Sequence, residues 1–340
     1  MRPRRVFLHK SERIFLYETK TRLATMKASR VRRLVIGLHK KRLKLELRKN
    51  YDLYIMILPL ILYYAVFYFW PLYGIQVSFR DYIPSLGFAG SPFVGLKHFE
   101  NFFALSTSWT LILNTLRISA LTLLFSFPVP IILALMLNAL GHRKLRRLVQ
   151  TVIFAPHFVS IVVVVGMLNV FLNSQVGVVN QLIERLGMEK IDFMNSAASF
   201  IPVYILSGLW SNAGWSTIIY TGALTSIDSE LYEAATIDGA SKFQTIRYID
   251  LPAIIPTMSI IFIMDIGHLM SVGWEKVYLM QNSLNLSVSE IISTYTYKTG
   301  ILHGQVSYSA AIGLFNSVVN VVLLLFANKL TKKLSNTGIW

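Results

Sequence analysis

An all-α membrane protein with six transmembrane helices is the fold class that this 340-residue sequence predicts. Three observations carry it. Six apolar runs lie along the chain, each of about 20 residues or more, enough to cross a bilayer as a helix. Hydrophobic residues make up 54% of the chain, above the roughly 45–50% of a soluble domain. Basic residues are sorted to one side of the runs. Helices satisfy their own backbone hydrogen bonds, so they are the natural spanning form. A soluble helical core would not leave six such runs so poor in charge.

The elements follow in order. Residues 1–50 form a basic tail with 17 Lys and Arg against three Glu, which is +14 of the net +16. The remaining chain is nearly neutral, so the charge excludes a nucleic-acid surface spread over the protein. The stretch 40–49 is read either as a short helix lying on anionic lipid or as a disordered topogenic arm. This basic region is too long for a cleavable signal. The transmembrane domain, 51–335, then holds spans at 51–79, 118–140, 148–172, 200–224, 252–273 and 307–328. With no cysteine, disulfides and thiolate metal sites are excluded.

Loop charge gives the orientation. The tail, the 142–147 loop, the 225–251 loop and the C-terminal segment carry 26 Lys and Arg. The opposite loops carry six: Arg80, Lys97, Arg185, Lys190, Lys276 and Lys298. Both termini are therefore expected in the cytoplasm, together with the 225–251 loop.

That loop is built for contact. Asp228 is placed to cap a helix over 229–238, and Glu230 adds charge where the helix dipole favours it. Gly239 falls at the C-terminal cap, where a positive φ is needed. Ser241 to Gln244 is a capping-box pattern that opens a second short helix. Pro252 and Pro256 suit the first turn or a kink of the next span. Helix, glycine turn and helix make an elbow. The plainer alternative is an interhelical linker, which needs neither this length nor two capped helices.

Glu233-Ala234-Ala235, then Gly239 after three intervening residues, and Ile249-Asp250-Leu251-Pro252 after nine more resemble the cytoplasmic loop of permease subunits in binding-protein-dependent ABC importers. Phe69-Trp70-Pro71, Ser78-Phe79-Arg80-Asp81-Tyr82, Phe93-Val94-Gly95-Leu96, Asn114-Thr115-Leu116, Ala155-Pro156-His157-Phe158 and Val277-Tyr278-Leu279-Met280-Gln281-Asn282 look like the carbohydrate branch. Within it they are most similar to the group importing oligosaccharides released from complex polysaccharides. The resemblance covers about 50–335. It implies a type I importer fold and a bacterial plasma-membrane location. It also implies a second related permease subunit, two ATP-binding subunits and an extracellular solute-binding protein. No phosphate loop of the Gly-x4-Gly-Lys-Ser/Thr type is present. No cofactor is expected in this chain; ATP and magnesium would belong to the ATPase partner. Glu233, Ala234, Ala235, Asp238 and Gly239 would then carry the coupling contact, with Leu231 and Phe243 as apolar anchors.

Sugars are held by aromatic faces and hydrogen-bonding groups. Candidates inside or beside the spans are Trp210, Asn212, Trp215, Asp265, His268, Trp274, Glu275, Tyr297 and Asn316, with Tyr295 and Tyr308 nearby. Asp265 and His268, three apart, fall on one helix face and serve either the substrate or a helix contact. The tryptophans near span ends read more readily as interfacial anchors, and His157 beside Pro156 as a packing or kink residue. Rival functions are a permease for a non-sugar solute, a secondary transporter and an intramembrane enzyme. A secondary transporter would be expected to show an internal repeat, which is not evident. An enzyme would need more than the Asp265 and His268 pair.

Overall fold

The structure is a computed structural model that describes residues 49–271 and 273–335. The basic tail and its proposed surface helix therefore lie outside the described residues, apart from Lys49 and Asn50. The chain divides into two units, Met1–Gly74 and Ile75–Trp340. Among the described residues the regular elements are all helical, and one isolated bridge joins Arg80 to Phe93.

Helix α1 (Tyr51–Phe79) runs through the end of the first unit. It widens into a π-turn at Ala65–Phe69 and tightens into 3-10 geometry from Trp70. Pro71 explains the change: it has no N–H, and its ring crowds the carbonyl four residues back.

The second unit continues with α2 (Lys97–Ala104) and α3 (Ser108–Ala139), the latter restarted at Pro128. Next come α4 (Arg143–Phe154), α5 (Ile161–Phe171) and α6 (Val178–Arg185). They lead to α7 (Ala197–Thr225), α8 (Ser229–Ile237) and α9 (Lys242–Gly267). Helices α10 (Trp274–Met280), α11 (Ile292–Tyr297) and α12 (Val306–Ser335) complete the unit.

Among the described residues four helices, α1, α3, α9 and α12, are long and apolar enough to cross a membrane; a fifth is obtained if α4 and α5 count as one broken span. The run expected at 148–172 is not one helix. It breaks after the 3-10 turn Ala155–Phe158, and its halves meet at 98°. Pro156 interrupts the hydrogen-bond ladder, and Ser160 restarts it by accepting from the Val163 N–H. The run expected at 252–273 also moves. Helix α9 begins ten residues earlier, within the elbow, and ends at Gly267. Beyond it, Asn320 of α12 accepts from Met270 N at 2.9 Å and donates to Ser271 Oγ at 2.9 Å, which holds a turn instead of helix.

Helix α7 is as long as a span but less apolar than the four, because Ser, Thr, Asn and Gly interrupt its sequence, and other helices enclose it. Twelve of its residues are buried, Ser207, Ser211 and Thr217 among them. Thr217 turns its hydroxyl back to the Ala213 carbonyl at 2.7 Å, so its burial leaves no unpaired donor. Phe200, Tyr204 and Ile205 of α7 pack with Ile118 of α3, Val165 of α5 and Val277 of α10. Lower on α7, Tyr220 and Leu224 pack with Ile131 and Ala134 of α3 and Ile254 of α9. A third cluster joins Phe102, Leu111, Ile292 and Ile312.

Helices α4 and α7 come closest at Gly214, where a Cβ would run into the Ile153 carbonyl. Gly214→Val is expected to destabilise the fold by about 1–3 kcal/mol. Thermal unfolding of the detergent-purified protein reads this directly, and an unchanged midpoint would contradict the close approach.

Candidate functional site

Two sites emerge, an elbow and a cavity between helices. In the elbow, Asp228 accepts the Glu230 N–H at 3.0 Å and caps α8. At the other end, the Gly239 N–H donates to the Thr236 carbonyl at 3.1 Å, and the Ala240 N–H donates to Ala235 at 2.9 Å. This is a Schellman closure, with Gly239 in the left-handed region at φ +73°. The capping box is reciprocal: Ser241 N–H donates to Gln244 Oε1 at 2.7 Å, and Gln244 N–H to Ser241 Oγ at 3.4 Å. The second helix then runs without interruption into the apolar part of α9. A π-turn at Ile246–Asp250 lets it pass Pro252 by widening the ladder where the ring would meet the Tyr248 carbonyl. The elbow is thus one piece with a long apolar helix, not a separate segment beside it.

Glu233, Ala234, Asp238 and Gly239 are exposed on this elbow, and Ala235 is half-buried. Leu231 and Phe243 are exposed as well. Ile237, which the sequence did not single out, is the most exposed large apolar residue described, at 87%. An apolar surface on a polar loop fits contact with another protein.

Beneath it lies a tether that sequence reasoning also missed. Tyr232 of α8 donates to Asp250 Oδ1 at 2.6 Å, and Asn138, in the last turn of α3, donates to the same oxygen at 3.2 Å. Asp250 is buried, so these bonds offset the loss of its hydration. Burial, and next the bond to Asp250, push the Tyr232 hydroxyl up to about 12, which keeps it a donor. Lys242 reaches back to the Ala139 carbonyl at 3.4 Å, at the C-terminus of α3, where the helix dipole favours a cation.

The cavity is about 400 Å³, within the range of small-molecule sites. It is lined by Thr122 and Ser126 from the middle of α3, by Tyr204, Gly208 and Asn212 from α7, and by Trp274, Glu275 and Lys276 from α10. A smaller cavity of about 210 Å³ shares Thr122, Ser126, Tyr204 and Gly273 with it, and adds Ser119, Asp265 and His268. Asp265 and His268 therefore meet one space, although they do not share a helix face: α9 ends at Gly267, and His268 is already non-helical. Trp274 packs against Tyr297 at 5.0 Å between ring centroids, beside the cavity.

The other candidates lie elsewhere. Trp215 stacks on His157 at 4.5 Å, and His157 Nδ1 meets Asn212 Oδ1 at 3.3 Å, which fastens the α4–α5 break to α7. Trp210 lines a separate apolar groove with Met167 and Phe171. Asn316 donates to the Met270 carbonyl at 3.2 Å and so helps Asn320 hold the turn after α9. Tyr295 and Tyr308 pack edge to face.

Several quoted motif residues position loops. Asn114 donates to the carbonyls of Ser287 and Glu290, at 3.0 and 3.1 Å. Thr115 Oγ1 accepts from Ile292 N–H at 3.0 Å. Lys97 bonds Asp81 at 2.8 Å and holds its carboxyl below the usual carboxylate range. The Tyr82 N–H donates to Ser307 Oγ at 2.8 Å, joining this region to the start of α12.

Known proteins share this architecture. Residues 126–336 match the family described as binding-protein-dependent transport system inner membrane component. The chain is 44% identical, over 88% of its length and 94% of the relative, to the polygalacturonan/rhamnogalacturonan transport system permease protein YteP of Bacillus subtilis (strain 168). It is 42% identical to Protein LplB of the same organism, over 86% of this chain and 92% of that one. A bacterial alginate ABC transporter, solved in complex with an alginate pentasaccharide-bound periplasmic protein, contains a chain with a TM-score of 0.80 and 37% identity; the match covers 86% of this chain and 98% of that one. The matched family is an inner membrane component and YteP is a transport permease, so this chain is a multi-pass membrane transport subunit and not an enzyme. On the strength of the matched family and these identities, the chain belongs to the inner membrane components of binding-protein-dependent transport systems.

Proposed function

We propose that this chain is one of two permease subunits of an ATP-driven importer that carries oligosaccharides, derived from a complex polysaccharide, across the bacterial plasma membrane. The observation that carries the proposal is the elbow. It presents Leu231, Ile237 and Phe243 outward, and it is continuous with an apolar helix whose far end borders the cavity. Motion of a docked partner would reach the cavity through one rigid helix. Glu233, Ala234, Ala235, Asp238 and Gly239 form the coupling surface for one of two ATP-binding subunits, which bind ATP and magnesium. An extracellular solute-binding protein delivers the sugar. The six spans are α1, α3, the broken α4–α5 pair, α7, α9 and α12, and both termini are cytoplasmic. For α7 the support is its length of 29 residues, about 43 Å of helix, and the enclosure of its polar side chains. For the orientation it is the asymmetry of basic residues.

The test is co-purification and uptake. Tagged protein should bring down an ATPase and a second permease. Cells lacking the gene should lose ATP-dependent uptake of pectin- or alginate-derived oligosaccharides. Transport by the lone chain without ATP would overturn the proposal.

A further inference from the structure

We infer that the cavity between α3, α7 and α10 is a subsite for a sugar carboxylate, with Lys276 as the residue that binds it. This rests on the importer function proposed above and names the charge class of its cargo. Lys276 is 6% exposed, and no other lysine or arginine among the described residues is buried. No carboxylate pairs with it among the described residues. Its Nζ donates to the Tyr204 carbonyl at 2.7 Å and lies 4.6 Å from the centre of the Tyr204 ring. One acceptor and one ring face are a poor substitute for the hydration of an ammonium, so a buried lysine normally has an anionic partner.

The surroundings leave room for that partner. Lys276 lines the 400 Å³ cavity, and a Cβ on Gly208 would stand 3.3 Å from its Nζ, so the glycine keeps the space beside the ammonium open. Two further groups lack a partner. Ser119 Oγ and Thr122 Oγ1 are buried without a hydrogen-bond partner among the described residues; Thr122 lines both cavities and Ser119 the smaller one. Hydroxyls of this kind suit the hydroxyls of a sugar ring, and Trp274 offers it an aromatic face. Glu275 borders the larger cavity and Asp265 the smaller one. They repel a carboxylate and accept from sugar hydroxyls, which leaves Lys276 as the place for the negative charge.

The experiment uses the assembled importer in proteoliposomes with its loaded binding protein. Uptake of a mixture of short pectin- and alginate-derived uronides is compared with uptake of their methyl esters, which keep the shape and mask the charge. Wild type should favour the acids. Lys276→Met should lower that preference about tenfold to a hundredfold, the loss expected for a charge-assisted hydrogen bond, and Lys276→Arg should retain part of it. Gly208→Ala, which crowds the ammonium without removing it, should lower the preference in the same direction and decides the matter should Lys276→Met fail to assemble. Equal losses for acids and esters would make Lys276 a strut between α7 and α10 and overturn the inference. So would a wild-type preference for the esters, with the importer function left standing. Uptake of neither form by an intact assembly would instead overturn the sugar-importer function itself.

Discussion

Gly239→Pro is expected to abolish ATP-driven uptake while the protein still reaches the membrane. Gly239 holds φ at +73°, and proline is fixed near −65°. Proline would also delete the N–H that donates to the Thr236 carbonyl. In addition, it disfavours the helical conformation of the preceding residue, Asp238, which now sits at φ −72° and ψ −2°. The closure of α8 therefore cannot form, and Ile237 and Phe243 lose their common placement on the elbow. The damage amounts to about 3 kcal/mol or more. Insertion should survive, because the elbow's turn lies outside the apolar helices.

Gly239→Ala provides a graded control. Nothing stands within 4 Å of the added Cβ, so only the left-handed backbone is penalised, by about 1–2 kcal/mol. Uptake in proteoliposomes should fall in the order glycine, alanine, proline, and co-purified ATPase should fall with it. Uptake at the wild-type rate by an inserted proline variant would remove the elbow from the coupling path.

The elbow was legible in the sequence because its determinants are local. A cap, a glycine and a capping box act over three or four residues, and each keeps its role whatever surrounds it. Asp228, Gly239 and the pair Ser241 and Gln244 all occupy the expected geometry. Span boundaries were harder, because hydropathy reports burial in lipid and not helix continuity. Pro156 and Ser160 split one apolar run into two helices. Conversely, a π-turn fused the second elbow helix to the next span. The cavity was legible only in part. Asn212, Trp274 and Glu275 border it and Asp265 and His268 border the smaller cavity beside it, whereas Trp210, Trp215 and Asn316 serve packing or hold a turn. Lys276 reads as a loop charge in the sequence, because its burial depends on Tyr204, 72 positions away. The tether at Asp250 depends in the same way on Asn138 and Tyr232, which no local pattern links to it.

Tyr232→Phe is expected to uncouple ATP hydrolysis from uptake. The hydroxyl is the shortest bond that Asp250 accepts, at 2.6 Å, and it joins α8 to α9 across the elbow. Without it, buried Asp250 retains only the longer Asn138 bond at 3.2 Å. Leaving a buried acceptor short of a donor costs about 1–3 kcal/mol, and more where it is charged. The exposed coupling surface would be unchanged, so ATPase partners should still dock and hydrolyse. Their thrust would then bend α8 against α9 instead of moving both together, and uptake per ATP should fall about tenfold. Asp250→Asn should act in the same direction more weakly, because an amide oxygen still accepts from the tyrosine. The double variant should fall short of the sum of the single effects by about 0.5–3 kcal/mol, as expected for residues in direct contact. Hydrolysis and uptake declining in equal proportion would assign Tyr232 to docking. Strictly additive effects would show that the bond to Asp250 does not carry the thrust.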